Sequence, residues 1–116
     1  MEITEKDKEI LDNMKIGKLV KNLMTIILEK NLITETEIQN LQKKEYSKLT
    51  FNVIFPLLKK VEGKFYLKEN GMINGNQRYY SKSIENNKTE YILTNEWKEY
   101  NRENFMIWLK RKVKDY

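Results

Sequence analysis

Apolar residues recur at helical spacing in the first half of the chain, and strand-like patterns follow in the second half. Between residues 15 and 31 the apolar positions lie three or four residues apart, which places them on one face of a helix. These positions are Ile16, Leu19, Val20, Leu23 and Ile27, widened by Met24, Ile26 and Leu28. The pattern predicts a central core helix over 15–31, and an oligomer seam is the other use of such a stripe.

A shorter and more charged pattern precedes this helix. Ile10, Leu11 and Met14 are apolar at helical spacing, Thr4 is a candidate N-cap, and Asp7 falls in the first turn. We therefore expect a loosely held peripheral helix over 4–14.

Residues 33–61 have the outline of a helix-turn-helix. Thr34-Glu35-Thr36-Glu37 matches a capping box, in which the Thr34 hydroxyl accepts from the N3 amide and Glu37 reaches back to the N-cap amide. Ile38 and Leu41 then face inward. The polar KKEY segment is the turn, and Ser47 is expected to cap the second helix.

The second helix is interrupted by a proline. Leu49, Phe51 and Ile54 are expected inside, with Lys48, Thr50 and Asn52 more exposed. Pro56 would cost ~3 kcal/mol in a helix interior. We expect a break at 52–55, with Pro56 starting a last helical turn or kinking the helix before residue 61.

Residues 62–94 have the composition of a β-hairpin wing. KFYLK at 64–68 is a short strand candidate, and 70–76 is a loop with two Asn-Gly steps. The β-formers at 77–85 and 89–94 flank an Asn86-Asn87-Lys88 turn. The segment predicts a two- or three-stranded antiparallel sheet.

A C-terminal helix is expected over 95–114, capped by Thr94 or Asn95. Its apolar face comprises Phe105, Trp108, Leu109 and Val113, while Trp97 and Tyr100 pack near its start and Asn101 or Asn104 interrupts it. The cations from Lys110 to Lys114 suit a helix C-terminus, because they interact favourably with its dipole. A contact with phosphate or with an acidic surface is their other interpretation.

Together these elements predict one α+β domain over 1–116, with helices packed on a hairpin sheet and followed by a C-terminal helix. The order helix, helix-turn-helix, hairpin, helix resembles winged-helix domains from Ile16 onward. The resemblance implies a small winged-helix-like fold.

The net positive charge fits a polyanion partner or solubility alone, and Lys usage partly reflects an Asn-, Ile-, Lys- and Glu-rich composition. The 22 basic residues exceed the 17 acidic ones and give a net charge of +5. Only Arg78, Arg102 and Arg111 are arginines, which counts against a sequence-specific reader of guanine edges.

The sequence has few residues of the types that usually catalyse reactions. The absence of His and Cys removes histidine bases, thiolate nucleophiles and His- or Cys-based metal sites. Glu62-Gly63-Lys64 has the tail of a metal-dependent nuclease motif, yet no Asp falls on a strand candidate to complete it. We expect no enzyme activity, no metal and no cofactor.

The wing carries alternating basic and aromatic residues that can stack on bases and contact phosphates. On a strand, Arg78 and Tyr80 share one face and Tyr79 and Ser81 the other, so one tyrosine is expected in the core. Cross-strand packing with Tyr91 is the alternative role. The predicted nucleic-acid-binding residues are Lys48, Thr50, Asn52, Lys59, Lys60, Arg78, Tyr79 and Lys82.

A local resemblance adds a biological setting. It is carried by Tyr46-Ser47-Lys48, Phe51-Asn52, Phe55-Pro56-Leu57-Leu58-Lys59, Arg78-Tyr79-Tyr80, Tyr91 and Glu96-Trp97. These residues look like small accessory modules of prokaryotic restriction- or nuclease-type proteins. The resemblance points to conflict between bacteria and phage, and to an anti-defence factor similar to anti-CRISPR proteins.

Three functions follow as hypotheses. The leading one is a binding module for nucleic acid or nucleoprotein. The second is a phage-encoded inhibitor that docks on a host defence protein with exposed Tyr and Trp anchors. The third is a homodimeric scaffold seamed by the 15–31 helix. The charged start lacks a signal-peptide core and no apolar run is long enough for a membrane span, so a cytoplasmic location is expected.

Overall fold

The helices follow the apolar pattern closely. The structure is a computed structural model that describes residues 5–61, 72–73, 76–80 and 82–113. Its helices are α1 (Glu5–Asp12), α2 (Ile16–Glu29), α3 (Glu35–Leu41), α4 (Lys44–Phe51) and α5 (Arg102–Lys112), the last preceded by a 3₁₀ turn at Glu99–Asn101. α1 buries no residue fully, as expected of a peripheral element, and its predicted cap Thr4 lies outside the described residues.

Two antiparallel sheets follow the first four helices. The larger has the strand order β1 (Leu58–Lys60), β5 (Thr89–Leu93), β4 (Ile84–Asn86). Its register pairs Leu58 with Leu93 and Ile84 with Tyr91. The smaller pairs β2 (Met72–Ile73) with β3 (Asn76–Gln77), inside the segment predicted to be all loop.

α2 is the central core helix that its spacing predicts. Seven of its apolar residues are buried, and only Ile26 departs from the prediction by lying at the surface. The stripe packs within the chain's own core.

The start of α3 is half of the predicted capping box. The Thr34 hydroxyl accepts from the Glu37 amide at 3.1 Å, as expected. The Glu37 carboxylate does not return to the N-cap; it is buried and bonds to other elements. Ile38 and Leu41 are fully buried as predicted.

The second helix of the motif begins earlier than the sequence suggested. α4 follows a turn at Gln42 and Lys43, so Ser47 lies inside it and caps nothing. Phe51 is buried, but Leu49 is 87% exposed and Ile54 is 58% exposed, which corrects the inward orientation expected of both.

The chain leaves α4 through a left-handed residue and becomes a strand. Asn52 has φ 61° and ends the helix at the predicted break. Pro56 then lies in a loop, where it neither starts nor kinks a helix, and Leu58–Lys60 is a strand rather than a helical turn. This strand is the third member of the sheet; the 64–68 candidate lies outside the described residues.

The predicted hairpin turn is present in a tighter form. Asn87 and Lys88 join β4 to β5 with φ values of 48° and 68°. A two-residue turn with positive φ at both central residues has a twist that matches the twist of the flanking strands. Asn86 belongs to β4, where its buried amide donates to the Leu28 carbonyl at 2.8 Å and so fixes the hairpin to the end of α2.

The C-terminal helix begins later than predicted, and neither Thr94 nor Asn95 caps it. Thr94 instead donates to the Arg78 carbonyl at 2.9 Å. Asn101 interrupts the helix as one alternative predicted: its Oδ1 accepts from the Lys98 amide at 2.8 Å and closes the 3₁₀ turn. The four apolar residues of the predicted face are buried, as is Trp97, whereas Tyr100 is 69% exposed instead of packed.

These elements confirm the predicted fold class. Helices pack on a three-stranded antiparallel sheet and a C-terminal helix closes the structure. The arrangement is consistent with a small winged-helix-like α+β domain.

Candidate nucleic-acid interface

An aromatic cluster holds α4 against the C-terminal part of the chain. The Phe51 ring lies 5.5 Å from that of Trp108 and 5.9 Å from that of Trp97, both edge-on. Phe105 completes the cluster at 6.2 Å from Phe51. Edge-on aromatic pairs add stabilisation beyond their buried area, so this cluster sets the position of α4.

Asn101 fixes the end of the same helix. Its side-chain amide donates to the Phe51 carbonyl at 2.9 Å and to the Asn52 carbonyl at 3.3 Å. Carbonyls at a helix C-terminus lack partners within the helix. Asn101 supplies these partners from the 3₁₀ turn before α5.

Ser47 connects α4 to β1. Its hydroxyl accepts from the Leu57 amide at 2.9 Å and lies within 3.4 Å of the Leu41 carbonyl. Since Leu57 directly precedes β1, the strand starts beside the middle of α4.

This connection defines a basic surface, which we name the lysine patch. Gln42, in the turn between α3 and α4, lines one cleft together with Lys59 and Lys60 of β1. The patch also includes the lysines of α4, the helix that Ser47 joins to the start of β1. Its members, all exposed, are Lys43, Lys44, Lys48, Lys59 and Lys60.

The helix geometry separates the lysines of α4 from its other side chains. At about 100° per residue, Lys44 and Lys48 lie on one side of Ser47, and Tyr46 and Thr50 lie on the other. Thr50 therefore lines the groove towards α5, away from the predicted group. Asn52 is exposed, and its left-handed backbone explains its identity without a ligand.

The predicted wing residues have other partners, although Tyr79 lines the same cleft as Lys59 and Lys60. Arg78 forms a 2.7 Å ion pair with Glu96 and lies over the Phe55 ring at 5.8 Å. Tyr79 is only 1% exposed and donates to the Pro56 carbonyl at 2.7 Å. Burial also raises the pKa of the Tyr79 hydroxyl. The surface contact predicted for Tyr79 is therefore wrong, and it is the core tyrosine of the wing.

Lys82 lies in another place again. It lines a cleft between α2 and the hairpin with Lys21, whose ammonium is 5.0 Å from the centre of the Tyr80 ring. Glu29, Glu85 and Glu90 line the same cleft. Because these carboxylates offset the lysines, the cleft is unsuited to a polyanion.

A buried carboxylate lies beneath α4. Glu37 accepts from the indole N–H of Trp108 at 2.7 Å and from the hydroxyl of Tyr46, and its other oxygen lies 3.9 Å from the Lys112 ammonium. Burial, followed by the bond to Glu37, raises the pKa of Tyr46 to about 12. The Glu37 carboxylate, the Trp108 indole N–H and the Tyr46 hydroxyl therefore each have a hydrogen-bond partner below the surface.

Above this carboxylate is a groove between α4 and α5. We name it the α4–α5 groove; Tyr46 and Trp108 line it together with the exposed side chains of Leu49 and Ile107. Both tryptophans of the chain are buried, so the Trp anchors expected of an inhibitor are not at the surface.

The sequence signals for enzyme chemistry gain no support. Among the described residues, no three acidic side chains are grouped closely enough to hold a metal ion. The Glu62-Gly63-Lys64 fragment lies outside those residues. Within the described ranges, no helix has both the length and the apolar character needed to cross a membrane.

Two features were missed from the sequence. Lys43 and Lys44 were placed in a turn and left out of the predicted site. Their position just before the segment that carries Lys48 was a usable signal that they belong with it. The partners of Glu37 come from residues 46, 108 and 112, and short-range spacing gave no signal for them.

Comparison with known proteins gives no relatives for this chain: no family model, curated protein or solved structure matches it. Its function therefore has to be argued from its own residues.

Proposed function

We propose that the protein is a non-enzymatic binding module that contacts the phosphate backbone of a nucleic acid, free or within a nucleoprotein complex, through the lysine patch. One observation carries the proposal. The Ser47 hydroxyl joins the start of β1 to the middle of α4, so the two elements that carry these exposed lysines adjoin each other.

The chemistry of the patch favours phosphates over base edges. Lysine is a flexible point charge, whereas base recognition relies on the bidentate fork of arginine. Arg78 is paired with Glu96, and Arg102 with Glu99 and the Met14 carbonyl. Binding should therefore depend little on sequence.

Salt dependence tests the electrostatic origin. Fluorescence anisotropy of labelled DNA and RNA, single-stranded and duplex, would be measured between about 50 and 200 mM salt. We expect the slope of log K against log salt to steepen by about 0.9 for each duplex phosphate neutralised. A lack of binding to every form at the lowest salt would overturn the proposal.

The residues are tested by a matched pair of triple variants. Lys44→Gln/Lys48→Gln/Lys60→Gln removes three patch charges and should reduce the salt slope by about 2–3. Lys6→Gln/Lys18→Gln/Lys30→Gln removes three exposed charges from the side of α1 and α2. If both variants weaken binding equally, net charge rather than the patch is responsible.

A further inference from the structure

The α4–α5 groove has a mixed lining, in which the exposed apolar side chains of Leu49 and Ile107 are left uncovered by the described chain. It has a volume of about 350 Å³. Leu49 on one wall is 87% exposed and Ile107 on the other is 48% exposed. Covering exposed apolar side chains of this kind with a partner lowers the free energy, because apolar surface is removed from water.

The floor of the groove is held in place before any partner arrives. The Trp108 indole and the Tyr46 hydroxyl both donate to Glu37, and the Trp108 ring also packs against Phe51. Their polar atoms are bonded to Glu37, and because Trp108 is buried a ligand would meet mainly the half-buried Tyr46 ring. A floor that needs no rearrangement lowers the entropic cost of binding.

One end of the groove is strongly basic. Arg111 and Lys112 line it and are exposed, with the Lys112 ammonium 3.9 Å from the buried Glu37 carboxylate; Lys110, in the same last turn of α5, is not part of the lining. The helix dipole adds no positive charge at this end, so side chains provide the field. Charge complementarity therefore calls for an occupant with acidic groups at this end.

The walls set the length of the occupant. α4 has 8 residues and α5 has 11. At about 1.5 Å per residue, they span roughly 12–16 Å, which is two to three turns of a helix.

We propose that the α4–α5 groove binds an acidic amphipathic helix of a protein partner. Apolar side chains of that helix, spaced three or four residues apart, cover Leu49 and Ile107. Acidic residues next to them pair with Arg111 and Lys112. The surface is separate from the lysine patch, and the inference does not depend on nucleic-acid binding.

The test is a peptide selection that fixes no sequence in advance. A displayed library of random helical peptides is selected on the wild-type protein and counter-selected on Leu49→Ser/Ile107→Ser. Both substituted side chains are exposed, so this variant is expected to fold, and a circular dichroism spectrum checks it. We expect enriched peptides that combine acidic residues with apolar residues at helical spacing.

Selected peptides then need to bind at the groove. We expect affinity to fall at least about tenfold, or 1.4 kcal/mol, in Leu49→Ser and Arg111→Glu. It should be unchanged in Ile54→Ser, which alters an exposed apolar residue that does not line the groove. The indole N–H resonance of Trp108 should shift on binding.

Several outcomes would overturn the inference: no enrichment, enrichment of basic peptides, or equal binding to wild type and Leu49→Ser. Light scattering that shows a dimer abolished by Leu49→Ser would assign the groove to a second copy of the chain. Loss of nucleic-acid binding in Leu49→Ser would assign it to nucleic acid. Peptide binding should persist in Lys44→Gln/Lys48→Gln/Lys60→Gln, which distinguishes this inference from the proposed function.

Discussion

The indole N–H of Trp108 donates to the carboxylate of Glu37 at 2.7 Å, across 71 residues of sequence. The bond joins the first turn of α3 to the last helix, and Tyr46 of α4 donates to the same carboxylate. Three helices thus meet at one buried acid, which places the two helices of the helix-turn-helix relative to α5.

Removal of this carboxylate should destabilise the protein. Glu37→Ala leaves the Trp108 N–H without its partner, and a buried unsatisfied donor costs about 1–3 kcal/mol. Glu35→Ala is the matched control, because it removes an exposed acid from the same first turn and should stay within about 0.5 kcal/mol of wild type. Urea unfolding of both variants gives the comparison; equal losses would mean that the buried bonds contribute nothing.

Tyr46 should make stability fall at alkaline pH. Its pKa is raised to about 12 in the folded protein from the usual 10.0, so the unfolded chain loses this proton first. The folded state therefore loses stability as the pH rises from about 10 to 12. The difference in the free energy of unfolding between wild type and Tyr46→Phe should therefore become smaller over that pH range.

Urea unfolding at a series of alkaline pH values measures this gap. Tyr100→Phe, which removes a hydroxyl from an exposed side chain, is the control. A gap that stays constant for Tyr46→Phe would show that Tyr46 is not held protonated by Glu37 and its burial.

Glu99 should contribute stability that acid removes. Its carboxylate accepts from the Ile16 amide at 2.8 Å and from Arg102, and these bonds lower its pKa below the usual 4.5. Its contribution is therefore present above pH 4.5 and is lost as the pH falls through the lowered pKa.

The variant Glu99→Gln tests this, since it removes the charge that caps the first turn of α2. We expect it to unfold at lower urea than wild type at neutral pH, with the difference vanishing in acid. Glu103→Gln, an exposed acid in the first turn of α5, should show no such convergence. Convergence in both variants would assign the effect to overall charge.

Asn52 should be explained by backbone conformation and not by nucleic-acid contact. An L-residue such as alanine costs about 1–2 kcal/mol in the left-handed region, whereas glycine is at home there. Asn52→Ala should therefore destabilise by about 1 kcal/mol and Asn52→Gly should be nearly neutral in thermal unfolding. Weaker nucleic-acid binding by a stable Asn52→Gly would restore the contact role predicted from the sequence.

Local patterns predicted the elements whose cause is local. The α2 stripe, the Thr34 cap and the Asn87-Lys88 turn each depend on neighbouring residues, and all three are present. β1 was predicted as helix because Leu57-Leu58-Lys59-Lys60 has no decisive period. It is a strand because β5 supplies its partners, including Leu93 opposite Leu58.

The candidate site was harder to predict, because its contacts join residues that lie far apart in the sequence. The alternation of Tyr79 and Tyr80 does not show which of the two faces the core, and Tyr79 proved to be the buried one. Arg78 was expected to bind a ligand because its partner Glu96 lies 18 residues away. Leu49 was expected inside and Ile107 was not assigned to the apolar face of its helix, yet both are exposed.

The double role of Asn101 limits how this motif can be reused. A peptide covering residues 33–61 would lack the amide that bonds the carbonyls of Phe51 and Asn52, and also the indole that meets Glu37. Grafted onto another scaffold, α4 would therefore fray at its C-terminus. The smallest autonomous form of this motif has to extend through α5, or else carry its own substitute for Asn101.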